Sequence, residues 1–100
     1  MPELTASQNT AYSCAMTFAL VSKWQKADDD RGASYPDMEE GGGKEFFVRT
    51  LAMLMDALDL ERQQVVQMAI DGVAAVEAAG EETVERRMTA CLPMLIPPGS

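Results

Sequence analysis

The sequence predicts an all-α fold, a small antiparallel helical bundle of about four helices with one long acidic, glycine-rich loop. Apolar residues recur at helical spacing in four segments, and capping residues stand at the ends of these segments. No stretch alternates apolar and polar residues as a half-buried strand does. A length of 100 residues suits one core, so residues 1–100 are assigned to a single helical domain.

The first helix is predicted to begin at a capping box formed by Thr5 and Gln8 and to end near Lys26. Its apolar residues form two adjoining stripes at helical spacing, which are Cys14, Phe18 and Val21, and Met16, Leu20 and Trp24. Lys23 and Lys26 are the only charged residues of the segment. Such a wide apolar face predicts a helix that is mostly buried.

Residues 27–43 form the one long connection, and they combine a run of acids with three consecutive glycines that neither helix nor strand favours. The segment is longer than most helix-to-helix connections, so it is expected to be either a functional surface or a disordered crossover. Aromatic and charged residues in and beside it are the candidates for contact with a partner. These candidates are Trp24, Asp28, Asp29, Asp30, Tyr35, Glu39 and Glu40.

The second and third helices are predicted to form a hairpin. Helix 2 runs from Lys44 to Leu58, and helix 3 begins after a tight turn in which Asp59 is the expected cap. Gly80 is expected to end helix 3. The predicted apolar face of helix 2 carries Phe47, Leu51, Leu54 and Leu58, and that of helix 3 carries Val66, Ile70, Val73 and Val76.

The fourth helix is predicted to begin with Glu81 and Glu82, because acids are favoured in a first turn. Pro93 should end or kink it near Leu92. Its apolar face carries Val84, Met88, Cys91 and Leu95, and residues 97–100 are expected to form a short flexible tail.

The two cysteines have two interpretations. An up-down-up-down bundle places Cys14 and Cys91 at the same end, where a disulfide between them would close a loop of about 80 residues, worth roughly 4 kcal/mol. Alternatively, both are small buried apolar residues of a cytosolic chain. A redox or catalytic pair is not expected, because the sequence contains no CxxC motif and no His.

The charge of the chain restricts its partners. Sixteen acidic and eight basic residues give a net charge of −8, which disfavours direct binding of nucleic acid and of anionic membrane surfaces. No apolar stretch is long enough to insert into a membrane. A protein partner with a basic surface is the expectation, although the same charge also keeps a small domain soluble. The oligomeric state is not predicted.

No catalytic residue, cofactor or metal is expected. The lack of His removes the commonest general base and the commonest metal ligand. The loop partly matches a calcium-binding loop, because Asp28, Asp30 and Glu39 stand at positions 1, 3 and 12. Ala33 stands where that motif requires glycine and Pro36 stands at position 9, so a solvated acidic loop is the expected alternative.

The first residues, MPELTASQNT, lack the basic and apolar regions of a secretory signal, which predicts a cytoplasmic protein. The alternative is a periplasmic protein from which a signal has been removed.

Two segments near the ends of the chain, YSCAMTFALVSKW and ERRMTACLPML, resemble small two-cysteine all-helical proteins of alphaproteobacteria, many of them exported and of unknown function. This resemblance implies a disulfide between the terminal helices, and it implies no activity. The leading functional hypothesis is a non-catalytic protein–protein interaction module or regulator. The alternative is a disulfide-stabilised structural or stress protein of the bacterial envelope.

Overall fold

The computed structural model describes residues 4–95. It contains four α-helices, which are α1 (Ala6–Lys26), α2 (Gly43–Ala57), α3 (Arg62–Ala79) and α4 (Glu81–Cys91). Short 3₁₀ helices span Asp30–Gly32 and Leu92–Leu95, and no strand occurs between residues 4 and 95. The predicted all-α class and the four predicted helices are confirmed. The tail predicted for residues 97–100 lies outside the described residues.

Helix α1 is the centre of the fold, because α2, α3 and α4 all pack against it. Every residue from Cys14 to Phe18 is buried, which happens only when a helix is covered on more than one side. Thr5 and Gln8 form the predicted capping box, and the helix ends at Lys26 as predicted. The wide apolar pattern of this segment therefore predicted its burial correctly.

Helix α3 packs on α1 through small residues, so its buried face is not the one that the sequence predicted. The buried residues of α3 are Val65, Met68, Ala69, Gly72 and Val76. Val66 and Ile70 were predicted to be buried, but they are 47% and 58% exposed. At Gly72 a β-carbon would collide with the Tyr12 hydroxyl and the Met16 side chain, so glycine permits the close approach of the two helices.

The turn between α2 and α3 also differs from the prediction. The cap of α3 is Glu61 and not Asp59, since Glu61 forms a capping box with Gln64. Asp59 instead adopts a left-handed conformation within the turn, with φ of 51°. Gly80 ends α3 as predicted, with φ of 98°.

A disulfide between Cys14 and Cys91 ties α1 to the last residue of α4. The two Cα atoms are 5.5 Å apart, and both side chains are buried. The bond spans 77 residues of sequence, and a closed loop of that length lowers the entropy of the unfolded chain by an amount worth roughly 4 kcal/mol. The two cysteines are therefore joined in a disulfide, as the first of the two interpretations had it, and are not separate buried thiols.

Candidate functional site

One side chain holds the long loop against the end of α1. The Gln25 amide nitrogen donates to the carbonyl oxygens of Gly32, Tyr35 and Pro36 at 3.1, 3.3 and 2.9 Å. The amide oxygen of Gln25 accepts from the backbone N–H of Met38 at 3.0 Å, and the Met38 side chain is fully buried. The connection is therefore folded onto the helix through four hydrogen bonds with a single residue, one of whose two amide N–H groups is shared between carbonyl oxygens.

Trp24, one of the predicted partner contacts, lies in the core of the fold. Its side chain is 3% exposed, and the Arg31 guanidinium covers the ring at 4.5 Å from the centroid. Asp29 holds Arg31 in place through an ion pair of 2.7 Å. Hydrogen bonds from Arg31 lower the pKa of the Asp29 carboxyl to about 2, so this contact persists well into acidic solution.

The predicted acidic residues divide into two groups. Asp28, Asp29, Asp30 and Tyr35 line one shallow depression together with Asp37. Glu39 lies apart from them, because its carboxylate pairs with the ammonium groups of Lys26 and Lys44 at 3.5 and 3.6 Å, and Glu40 is exposed. Between residues 4 and 95, no group of three or more acidic or thiol side chains is placed to hold a metal ion.

An apolar groove that the sequence did not predict lies between α1 and α2. It has a volume of about 560 Å³, within the range of pockets that hold small ligands. Phe18 of α1 lines the groove and packs edge-to-face on Phe46 at 5.3 Å between ring centroids. Phe47 and Val48 line the α2 side, and Val48 is 56% exposed. The surface is thus apolar and open to solvent.

A second depression of about 410 Å³ adjoins the first and reaches α3. Lys23 and Phe47 line both depressions, so the two form one continuous surface, which we call the apolar groove. Ile70 and Val73 line its α3 side, and Ile70 is 58% exposed. Two of the four α3 residues that were predicted to face the core, Ile70 and Val73, therefore form part of the wall of an open groove, whereas Val76 is buried as predicted.

All three lysines of the chain line the apolar groove. Lys26 and Lys44 share one carboxylate, that of Glu39, and Lys23 pairs with Glu77 at 3.6 Å. These ion pairs are exposed to solvent, so each contributes little to stability and is readily exchanged. Three ammonium groups against the two carboxylates of Glu39 and Glu77 leave the groove with a small excess of positive charge on an acidic protein.

The phenols of Tyr12 and Tyr35 both have a raised pKa. Burial is the larger cause of the raised pKa of Tyr12, and the negative charge of Asp71 adds to it. Burial likewise raises the pKa of Tyr35, with a contribution from acids on α4. The Tyr12 hydroxyl donates to the carbonyl oxygen of Met68 at 2.7 Å, so its proton joins α1 to α3. A phenol with a raised pKa in this setting is a structural donor and not a base.

Comparisons with protein-family models, with curated proteins and with solved structures find no match for this chain. Within residues 4–95, no helix has both the length and the apolar content needed to cross a membrane. The open apolar groove and the disulfide are the two features of residues 4–95 that bear on function.

Replacement of Gln25 by Glu is expected to loosen the loop. A carboxylate cannot donate to the three carbonyl groups that the amide now satisfies, and it would repel them, so the free energy of unfolding should fall by about 2 kcal/mol. Chemical denaturation measures this change, and amide hydrogen exchange at Met38 should become faster. Gln63→Glu, the same replacement at an exposed position of α3, should have little effect. Equal stability of the two variants would contradict the role assigned to Gln25.

Proposed function

We propose that this protein is a non-catalytic protein-interaction module whose binding surface is the apolar groove. The observation that carries the proposal is the exposure of Val48 and Ile70 on the two walls of one groove. Exposed apolar side chains are ordinary when they are scattered, but grouped around a concave surface they are typical of a binding site. Burial of that surface in a complex would be favourable in proportion to the apolar area removed from water.

Several features support a non-catalytic role. The sequence contains no His, and both cysteines are joined in a disulfide, so neither supplies a thiolate nucleophile. The phenol of Tyr12 is engaged in a hydrogen bond between helices. The groove itself is lined by apolar and lysine residues, with one serine, Ser22, on α1 and one glutamate, Glu77, at its α3 side.

The acidic depression formed around Asp28, Asp29 and Asp30 is a second candidate surface, for which a basic partner was predicted. Asp28 and Asp30 are exposed, whereas Asp29 is engaged with Arg31. We rank this surface below the apolar groove, because exposed carboxylates are stably hydrated and gain little from an isolated ion pair. A basic partner for this acidic surface is a prediction that rests on the net charge of the chain alone.

The disulfide favours a second candidate function, that of a structural or stress protein of the bacterial envelope. Disulfides persist in oxidising compartments and are rare in the cytosol of mesophiles, so the Cys14–Cys91 bond supports a location such as the periplasm. The resemblance to exported two-cysteine proteins agrees with this location. An envelope protein of this kind can also bind a partner through the apolar groove.

The interaction module is tested by a photo-crosslinking amino acid placed at Val48 in cells that naturally produce the protein. We expect a discrete crosslinked protein from Val48, because this residue lies on the groove wall. The matched control is Val66, an exposed valine of the same size on α3 that does not line the groove, and it should give no such product. Gel mobility and mass spectrometry identify the products.

A second substitution ties the crosslink to the groove. Ile70→Asp should abolish the product formed from Val48, because it places a charge on the α3 side of the same groove without altering the core. Crosslinking of equal yield from Val48 and Val66, or a product that survives Ile70→Asp, would contradict the proposal.

The envelope location is tested by the mass of the protein isolated from the same cells and alkylated under denaturing conditions, with and without prior reduction. We expect Cys14 and Cys91 to be blocked until the sample is reduced, because they are joined. Free alkylation of both thiols without reduction would contradict an oxidising compartment. That result would leave the apolar groove and its proposed partner unaffected.

A further inference from the structure

The three lysines place positive charge where the exposed apolar residues are. The five arginines of the chain lie elsewhere in the sequence, and none lines either part of the apolar groove. The groove therefore differs in sign from the protein as a whole, whose net charge is −8. From this arrangement we infer that the occupant of the apolar groove is an acidic amphipathic helix of a partner protein, and this inference rests on the proposed function.

The apolar part of the groove fits one face of a helix. Phe47 lies at its centre, common to both parts, with Val48 on the α2 side and Ile70 on the α3 side. A helix that lies in such a groove buries side chains spaced at i, i+3, i+4 and i+7, and its other faces remain in solvent. The groove runs from the α1–α2 junction to α3, so several successive side chains of one helix face would be covered.

The charged part of the groove selects acidic residues beside that apolar face. Glu39 is shared by two ammonium groups, so one positive charge at this end of the groove is not neutralised. A carboxylate of the partner can pair with Lys26 or Lys44 while Glu39 keeps the other. Charges within the screening length of about 8 Å dominate over the more distant acids of the protein. Local attraction therefore outweighs the unfavourable net charge.

A second copy of this chain is a poorer occupant. A symmetric dimer through the groove would apply the same patch of both copies to one another, because a two-fold interface is self-complementary. The lysines of one copy would then face those of the other, and like charges at an interface are unfavourable. The acidic helix α4 cannot serve instead, because Val84, Met88 and Cys91 of its apolar face are buried in its own core.

The inference is tested with two synthetic amphipathic peptides of about 18 residues, a length that supports a helix on binding. Both carry the same leucine face, and the remaining positions are glutamate in one peptide and lysine in the other. Titration into the ¹⁵N-labelled, disulfide-intact protein should shift the amide signals of Phe47, Val48 and Ile70. We expect the glutamate peptide to bind about tenfold more tightly at low salt, and this preference should shrink as salt is added.

Charge variants of the protein distinguish the effect of the groove lysines on peptide binding from the effect of the protein's net charge. Lys26→Glu with Lys44→Glu should abolish or reverse the preference for the glutamate peptide. The control, Arg62→Glu with Arg86→Glu, changes the net charge equally at exposed sites outside the groove and should keep the preference. Glu39→Gln removes the competing carboxylate and should tighten binding of the glutamate peptide severalfold. Circular dichroism verifies that each variant is folded.

The outcomes distinguish this inference from the proposed function. Equal binding of both peptides at the groove would overturn the acidic partner and leave the interaction module intact. Absence of peptide-induced shifts at Phe47, Val48 and Ile70 would overturn both. Binding of dodecanoate at the groove without binding of either peptide would also overturn the inference and assign the site to a fatty-acid-like ligand. Concentration-dependent shifts of the same signals without peptide would assign the groove to a second copy.

Discussion

The burial of α1 on several sides is the constraint on which the rest of the structure depends. The other three α-helices pack on this helix, and the Cys14–Cys91 disulfide fixes it to the end of the chain's last α-helix. A helix in that position must supply apolar residues over most of its circumference. The consecutive buried residues from Cys14 to Phe18 satisfy this requirement, and Phe18 also lines the apolar groove.

The position of α2 follows from the loop that precedes it. Gln25 at the end of α1 binds backbone groups from Gly32 to Met38, and the buried Met38 side chain holds the far part of the loop in the core. This brings Lys44 to the end of α1, where Glu39 bridges it to Lys26. The loop thus shapes one end of the apolar groove, which it lines only with its two terminal residues, Ala27 and Gly43. Loosening of the loop should change the groove as well as the stability of the fold.

The helices were predictable from the sequence because their signals are local. A capping box at Thr5, a glycine at Gly80 and a proline at Pro93 fix where helices begin or end through contacts within a few residues. The buried face of α3 was not predictable in the same way. Its packing depends on the small size of Ala69 and Gly72, whereas pattern analysis gives most weight to large apolar residues such as Ile70.

Most of the candidate site could not be predicted from the sequence, because it is formed by residues that are distant along the chain. Trp24 was named as a candidate partner contact, but it is buried in the fold, where the loop turns back and Arg31 covers the ring. Lys23 and Lys26 are neighbours at the end of α1, but the whole loop separates them from Lys44, and no sequence pattern places Lys44 on the same groove. The exposure of Val48 and Ile70 was likewise visible only once α1, α2 and α3 were in place.

Because every lysine of the chain lines the apolar groove, lysine acylation measures its occupancy directly. The protein would be treated briefly with an amine-acylating reagent in fresh extract of the cells that produce it and, separately, after purification. The account predicts slower acylation of Lys23, Lys26 and Lys44 in the extract, whereas an arginine-directed reagent should modify Arg62 and Arg86 equally in both samples. Equal acylation rates in extract and in purified protein would contradict the central claim that the groove is a binding surface.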